Sequence, residues 1–167
     1  MAWTTPATVT TSQLMTAAFW NTQVRDNLSF IDGRRVGYAV VTTGQTGIGT
    51  SQTDLTGLSV TFTAATGRYY KVKAGLTFVR GAGSPTAAIA QIKEGDGSPV
   101  YQEIFVETPS TSYSLSVERS VILQTGVDLT AGSETVKVSA AANVATDVSL
   151  SALTTRPAFL LVEEIGS

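Results

Sequence analysis

The sequence predicts a mainly β protein: an N-terminal extended arm and a single amphipathic helix, followed by an antiparallel β-sandwich of jelly-roll type. Three observations predict it. The 167 residues include 26 Thr and 16 Ser but only 24 charged side chains, 11 basic and 13 acidic. Thr and Val suit a pleated surface, so this low-charge composition favours sheet. Apolar residues recur with helical spacing between residues 12 and 32, then with a period of two from Val36 onward. Gly-, Pro- and Ser-containing clusters cut the second region into eight or so short runs, the pattern of a sandwich or jelly roll.

The elements follow in order. Residues 1–11 read as the arm, because Pro6 disfavours helix at Thr5 and Thr-rich sequence follows. Residues 12–33 read as the helix. Thr11 or Ser12 can cap its start, and Gly33 stands where a helix end tolerates positive φ. Arg34 and Arg35 come next, where cations complement the negative end of the helix dipole.

Residues 34–167 read as the β-sandwich. Val36–Val41 form a first apolar run. Leu58, Val60 and Phe62 alternate with polar residues, as do Tyr70, Val72, Ala74, Leu76 and Phe78. Leu115, Val117, Val121 and Leu123 share one parity, interrupted by Arg119, and Lys137 separates Val136 from Val138. Ala158–Val162 is continuously apolar and reads as a strand buried on both faces. Turns are expected at residues 43–47, 65–67, 81–85, 94–99, 108–110 and 130–133. Residues 43–57 and 141–154 show little periodicity, which leaves the strand number open by one or two.

Within the helix, Leu14, Ala17, Asn21, Val24, Leu28 and Ile31 are spaced 3, 4, 3, 4, 3. Leu14, Asn21 and Leu28 take heptad position a, and Ala17, Val24 and Ile31 take position d. Leu at a with β-branched residues at d favours trimers or tetramers. Asn21 has the character of a register-setting polar residue. Against an apolar surface it would be left unsatisfied, at a cost on the order of 1–3 kcal/mol, whereas copies of it can bond one another. The same stripe, widened by Met15, Phe19 and Trp20, would also suit a helix lying on the chain's own sheet.

Several chemistries are excluded. With no Cys and no His, the chain has no disulfide, no thiolate, no imidazole-based triad and no imidazole-ligated metal. Its net charge of −2 and isoelectric point near 5.0 speak against nucleic-acid binding. No apolar run nears the roughly 18 residues of a membrane span, and the first residues lack the pattern of a secretory signal. No cofactor or metal site is expected.

Glu94 and Asp96 flank Gly95, and a carboxylate pair can hydrolyse glycosides. Gly95-Asp96-Gly97 between two strands reads more simply as a hairpin turn. Glu163 and Glu164 are adjacent on a strand, so they point to opposite faces and cannot form a dyad. Tyr69, Tyr70, Tyr101, Phe105 and Tyr113 would offer stacking surfaces for a sugar if exposed, although strand aromatics are usually core.

Trp3-Thr4-Thr5-Pro6, Met15-Thr16-Ala17-Ala18 and Asn21-Thr22-Gln23-Val24-Arg25-Asp26-Asn27-Leu28 resemble the opening of small virion proteins of tailed bacteriophages, of the minor tail or tail-fibre type. The ending, Thr155-Arg156-Pro157-Ala158-Phe159-Leu160-Leu161-Val162-Glu163-Glu164-Ile165-Gly166, is similar to the last strand of the same proteins. Ala7-Thr8-Val9 departs from the pattern. The resemblance covers about the first 30 and the last 12 residues. It implies a non-enzymatic structural protein on the virion exterior, and the heptad spacing agrees with it in pointing to a homotrimer through Leu14, Ala17, Asn21, Val24, Leu28 and Ile31. Trp3, Pro6 and Trp20 would attach it to the particle. The implied partners are copies of itself, other tail or capsid proteins and a host-surface glycan, with no nucleic acid and no membrane insertion. Related small β proteins decorate capsids or form head fibres, which is the alternative location. A carbohydrate-binding module is a further alternative.

Overall fold

The computed structural model describes residues 34–80, 86–108, 114–144 and 148–166. The arm and helix expected over residues 1–33 lie outside these. The described residues form ten strands: β1 (Arg34–Val41), β2 (Gln45–Ile48), β3 (Thr53–Ala64), β4 (Tyr69–Arg80), β5 (Thr86–Glu94), β6 (Val100–Thr108), β7 (Ser114–Gln124), β8 (Gly132–Ala142), β9 (Val148–Leu150) and β10 (Ala158–Gly166).

All strand pairs between them are antiparallel. The first sheet runs β1-β10-β4-β9-β2, with β7 on the other edge of β4. The second runs β3-β8-β5-β6. Setting aside the short β2 and β9, the eight long strands have a fixed order. The first sheet holds the first, eighth, third and sixth, and the second holds the second, seventh, fourth and fifth. The chain thus passes repeatedly between two facing sheets, which is the jelly-roll connectivity.

The period-two runs account for the core. On β4, Tyr70, Val72, Ala74, Leu76 and Phe78 are all buried. So are Leu58, Val60 and Phe62 on β3, and Val136 and Val138 on β8. These alternating residues line the space between the sheets as a single cluster, joined by Leu160 and Val162 of β10. Phe62 and Tyr70 meet across it with ring centroids 5.0 Å apart. Strand β5 enters the core through Ala88, Ala90 and Ile92. Its alanines pair with Ala142 and Ala140 of β8, small residues that give a weak apolar signal.

Strand β7 keeps the parity read from sequence: Leu123, Val121, Arg119, Val117 and Leu115 stand opposite the core-facing residues of β4. Because β7 is an edge strand, that row opens to solvent, and Arg119 is exposed. This explains how an arginine interrupts an apolar parity without being buried.

Two expectations are corrected. Residues 43–47 are not simply a turn, since β2 begins at Gln45 and pairs with β9. Both short strands fall in the stretches with little periodicity, and the ten strands described lie within the range left open there. The cause is visible at β3, whose register with β8 breaks between Asp54 and Ser59. Side chains hold that irregular stretch: Thr56 N donates to Gln45 Oε1 (2.9 Å), and Gln52 Nε2 donates to the carbonyl of Ile89 (3.1 Å). Finally, β10 is not buried on both faces. Ala158, Leu160 and Val162 enter the core, whereas Phe159 and Leu161 lie on the outside of the first sheet, partly exposed.

Candidate assembly surface

The outer face of the first sheet is built by rows of register partners. One row runs Tyr38, Leu161, Lys73, Ser120 across β1, β10, β4 and β7. The next runs Val40, Phe159, Gly75, Glu118. Tyr38 and Val40 are each 48% exposed, and Ile122, which stands beside Lys71 on the same face, is 57% exposed. Tyr38 and Phe159 lie with centroids 6.4 Å apart, and the Arg35 guanidinium sits 5.4 Å from the centre of the Tyr38 ring. A Cβ on Gly75 would overlap the Phe159 ring, so the glycine is what makes room for the ring over β4. Lys73 Nζ and Glu118 Oε1 form an ion pair of 2.8 Å at the border. The result is a shallow apolar area with charges of both signs around it.

The outer face of the second sheet is chemically different. Thr61 and Thr135 share a hydrogen bond between their hydroxyls (2.8 Å), and Gln91 Nε2 donates to Glu103 Oε2 (3.1 Å). Asp54 takes Lys137 Nζ at 2.7 Å and Lys93 Nζ at 3.0 Å. The hydrogen bond from Lys137 holds the Asp54 carboxyl below the usual range, reinforced by Lys93 and opposed by partial loss of hydration. Ser139 Oγ donates to Gln52 Oε1 (2.9 Å). An apolar row also crosses this face at the far edge from β3: Phe105, exposed on β6, pairs with Ile89 of β5, which pairs with the buried Ala141 of β8.

The mouth of the sandwich beside β1 holds a cleft of about 580 Å³ lined by Arg34, Arg35, Thr63, Arg68, Tyr70 and Glu164, among others. Arg68 Nε lies 3.5 Å from Glu164 Oε1. The two arginines expected to follow a helix therefore open β1 at this cleft, Arg34 opposite Glu164, while the Arg35 guanidinium reaches over Tyr38 on the outer face. Glu163 stands opposite Lys71 on the outer face while Glu164 turns to Arg68, which is the opposite-face placement read from sequence.

Glu94 and Asp96 lie at the β5–β6 connection. Gly97 N donates to the Glu94 carbonyl (2.9 Å) and Ser98 N donates to Asp96 Oδ1 (2.9 Å), so Asp96 closes the turn. Loss of hydration, with Asp96 and Glu134 nearby, raises the Glu94 carboxyl. Of the aromatic candidates, Tyr70 is fully buried and its hydroxyl accepts from Ala65 N (2.8 Å). Tyr101 is half-buried, while Tyr69 and Phe105 are exposed and belong to different sheets, so they form no common platform.

Leu14, Ala17, Asn21, Val24, Leu28 and Ile31, expected at the oligomer interface, and Trp3, Pro6 and Trp20, expected at the attachment, lie outside the described residues, as does Tyr113. Among the described residues, no group of three or more His, Cys, Asp or Glu side chains could hold a metal ion. No described helix is long and apolar enough to cross a membrane. Sequence reasoning misses the outer apolar area. Its signal is the unbroken run Ala158–Val162, which reads instead as two buried faces.

No family model matches the chain, and no curated protein matches it. Among solved structures it is similar to the Eiger TNF of S. frugiperda, at 11% identity and a TM-score of 0.47, covering 81% of this chain and 94% of that one. It is similar to the PRD1 vertex protein P5, at 12% identity and a TM-score of 0.43, covering 81% and 99%. It is also similar to VP2 of the infectious bursal disease virus subviral particle, at 12% identity and a TM-score of 0.43, covering 78% of this chain and 37% of that one.

Proposed function

We propose that the chain is a non-enzymatic structural protein of a tailed-phage virion: a homotrimeric minor tail or fibre protein. In this reading residues 1–33 attach it to the particle, and the β domain projects outward to contact the host surface. The observation that carries the reading is the apolar area on the outer face of the first sheet beside β1, the strand that follows residues 1–33: Tyr38 and Val40 are each 48% exposed there, next to Phe159 and Leu161, which suits an assembly contact. The resemblance of the first 30 and last 12 residues to small virion proteins supports it, as does the heptad spacing from Leu14 to Ile31. The carboxylate pair that a hydrolase would need is instead part of a hairpin turn.

Two measurements test the proposal. Light scattering on the purified full chain is expected to give the mass of a trimer, and Leu28→Asp to give a monomer with an unchanged β-sheet circular dichroism signal. A trimeric Leu28→Asp protein would remove the helix as the assembly device. Antibody labelling of intact particles is expected to mark the tail. Labelling over the shell would move the protein to a decoration role, and no labelling of the particle would overturn the virion reading.

A further inference from the structure

We infer that the outer face of the first sheet, centred on Val40, Phe159 and Leu161, is covered by a second copy of this chain in the assembled protein. The inference rests on the reading of residues 12–33 as a self-associating helix and adds to it a second contact, made by the β domain.

Connectivity limits how far apart the β domains can sit. The last seam residue, Ile31, lies three residues before Arg34, which opens β1. Three residues span at most roughly 11 Å of extended chain. Helices packed in a bundle lie about 8–10 Å apart. Copies joined at Ile31 therefore hold their β1 strands within roughly 30 Å of one another. That short tether keeps the β domains within reach of one another and brings the surfaces next to β1 closest together.

The composition of the two faces decides which surface touches. Strand β1 belongs to the first sheet, and the rows that start on it, from Tyr38 and from Val40, are the apolar ones. The second sheet presents side chains that already satisfy one another, such as Asp54 with Lys93 and Lys137. Burying the part of that face next to β1, on β3 and β8, would remove those groups from water, and its exposed aromatic, Phe105, stands on β6 at the other edge, whereas burying Tyr38, Val40 and Phe159 removes exposed apolar surface beside β1 itself. The border carries Arg35 and Lys73 along with Glu118 and Glu163, so a copy can meet a copy without uniform repulsion.

The chain has no cysteine, so single thiols can be placed as reporters. Val40→Cys probes the apolar face. Ser59→Cys probes the outer face of the second sheet, where Ser59 is exposed opposite Lys137. Each is made in the full chain and in a Leu28→Asp background, and the rate of maleimide labelling is measured. In the trimer, the thiol of Val40→Cys is expected to react about tenfold more slowly than that of Ser59→Cys, because a packed interface excludes water and reagent alike. In the Leu28→Asp monomer the two thiols are expected to react at similar rates.

Rapid labelling at position 40 in a trimer that Leu28→Asp dissociates would overturn the inference and leave the helix reading intact. Slow labelling at position 40 in both backgrounds would also overturn it, because the cover would then come from the same chain. A full chain that is monomeric by light scattering would overturn both readings.

Discussion

The ring of Phe159 lies over Gly75, its register partner on β4, in the space where any other residue would carry a side chain. A comparable close approach occurs inside the sandwich, where a Cβ on Gly37 would strike the side chain of Val60. The two contacts differ in what can yield. Phe159 is at the surface, so its ring can swing outward, but Val60 is β-branched and buried in the core. Gly37→Ala is therefore expected to destabilise the fold by about 1–3 kcal/mol, the usual cost of overpacking. Gly75→Ala is expected to cost under about 1 kcal/mol in an unassociated chain, as a surface change with room to relax. Urea denaturation of both variants in the Leu28→Asp background checks the order, and equal losses would contradict it.

Neighbouring leucines on β10 meet opposite environments. Leu160 is completely buried, whereas Leu161 stands on the outer face beside Tyr38. Leu160→Ala opens a core cavity and is expected to cost about 2–5 kcal/mol. In the dissociated background, Leu161→Ala is expected to cost less than about 1 kcal/mol, because its side chain is already partly in water. In the trimer its effect is expected at the level of association, seen as dissociation at higher protein concentration by light scattering. A Leu161→Ala loss as large as that of Leu160→Ala would mean that β10 is buried on both faces after all.

Leu161 also marks the limit of what the sequence reveals. Alternation on β3, β4 and β8 is legible because one face is apolar and the other polar, so Tyr70 through Phe78 announce their burial directly. The jelly-roll class follows from several such runs separated by turns. Ala158–Val162 cannot be read in this way, because an apolar outer face erases the alternation as completely as a second core would. Strands β2 and β9 are hidden for another reason. They are short, and the adjoining part of β3 breaks the period of two: Leu55 and Leu58 are both buried although three residues apart, across the register break that the Gln45 side chain helps to hold. The charged lining of the cleft is only half visible: Arg34 and Arg35 stand out as a pair, but their approach to Arg68 and Glu164 depends on β1 pairing with β10.

Tyr70 illustrates a polar contact that a burial pattern cannot reveal. Its ring belongs to the core, yet its hydroxyl accepts the backbone N–H of Ala65 and so ties down the turn between β3 and β4. Tyr70→Phe keeps the ring and removes the acceptor. The expected loss is about 1 kcal/mol, with faster hydrogen exchange at the Ala65 amide. Unchanged exchange there would show that the bond contributes nothing to holding the turn.

Asp54 supplies the clearest dependence on pH. Its carboxylate lies between Lys137 and Lys93, whose side chains are largely buried, while its own side chain is 52% exposed. The folded-state pKa is lowered, chiefly by the hydrogen bond from Lys137. A carboxyl with a depressed folded pKa stabilises the fold while it is ionised. The contribution is therefore complete above the ordinary aspartate value of about 3.9 and is lost as the pH falls through the lower folded value. Asp54→Asn removes the charge and leaves two lysines side by side. Because the site is half open to water, the expected cost at pH 7 is about 1 kcal/mol, reduced further by salt. Urea titrations at a series of pH values from about 7 downward should show that difference at the higher pH and a steady loss of it as the carboxyl is protonated. A gap that persists unchanged at low pH would mean that Asp54 acts through packing rather than through its charge.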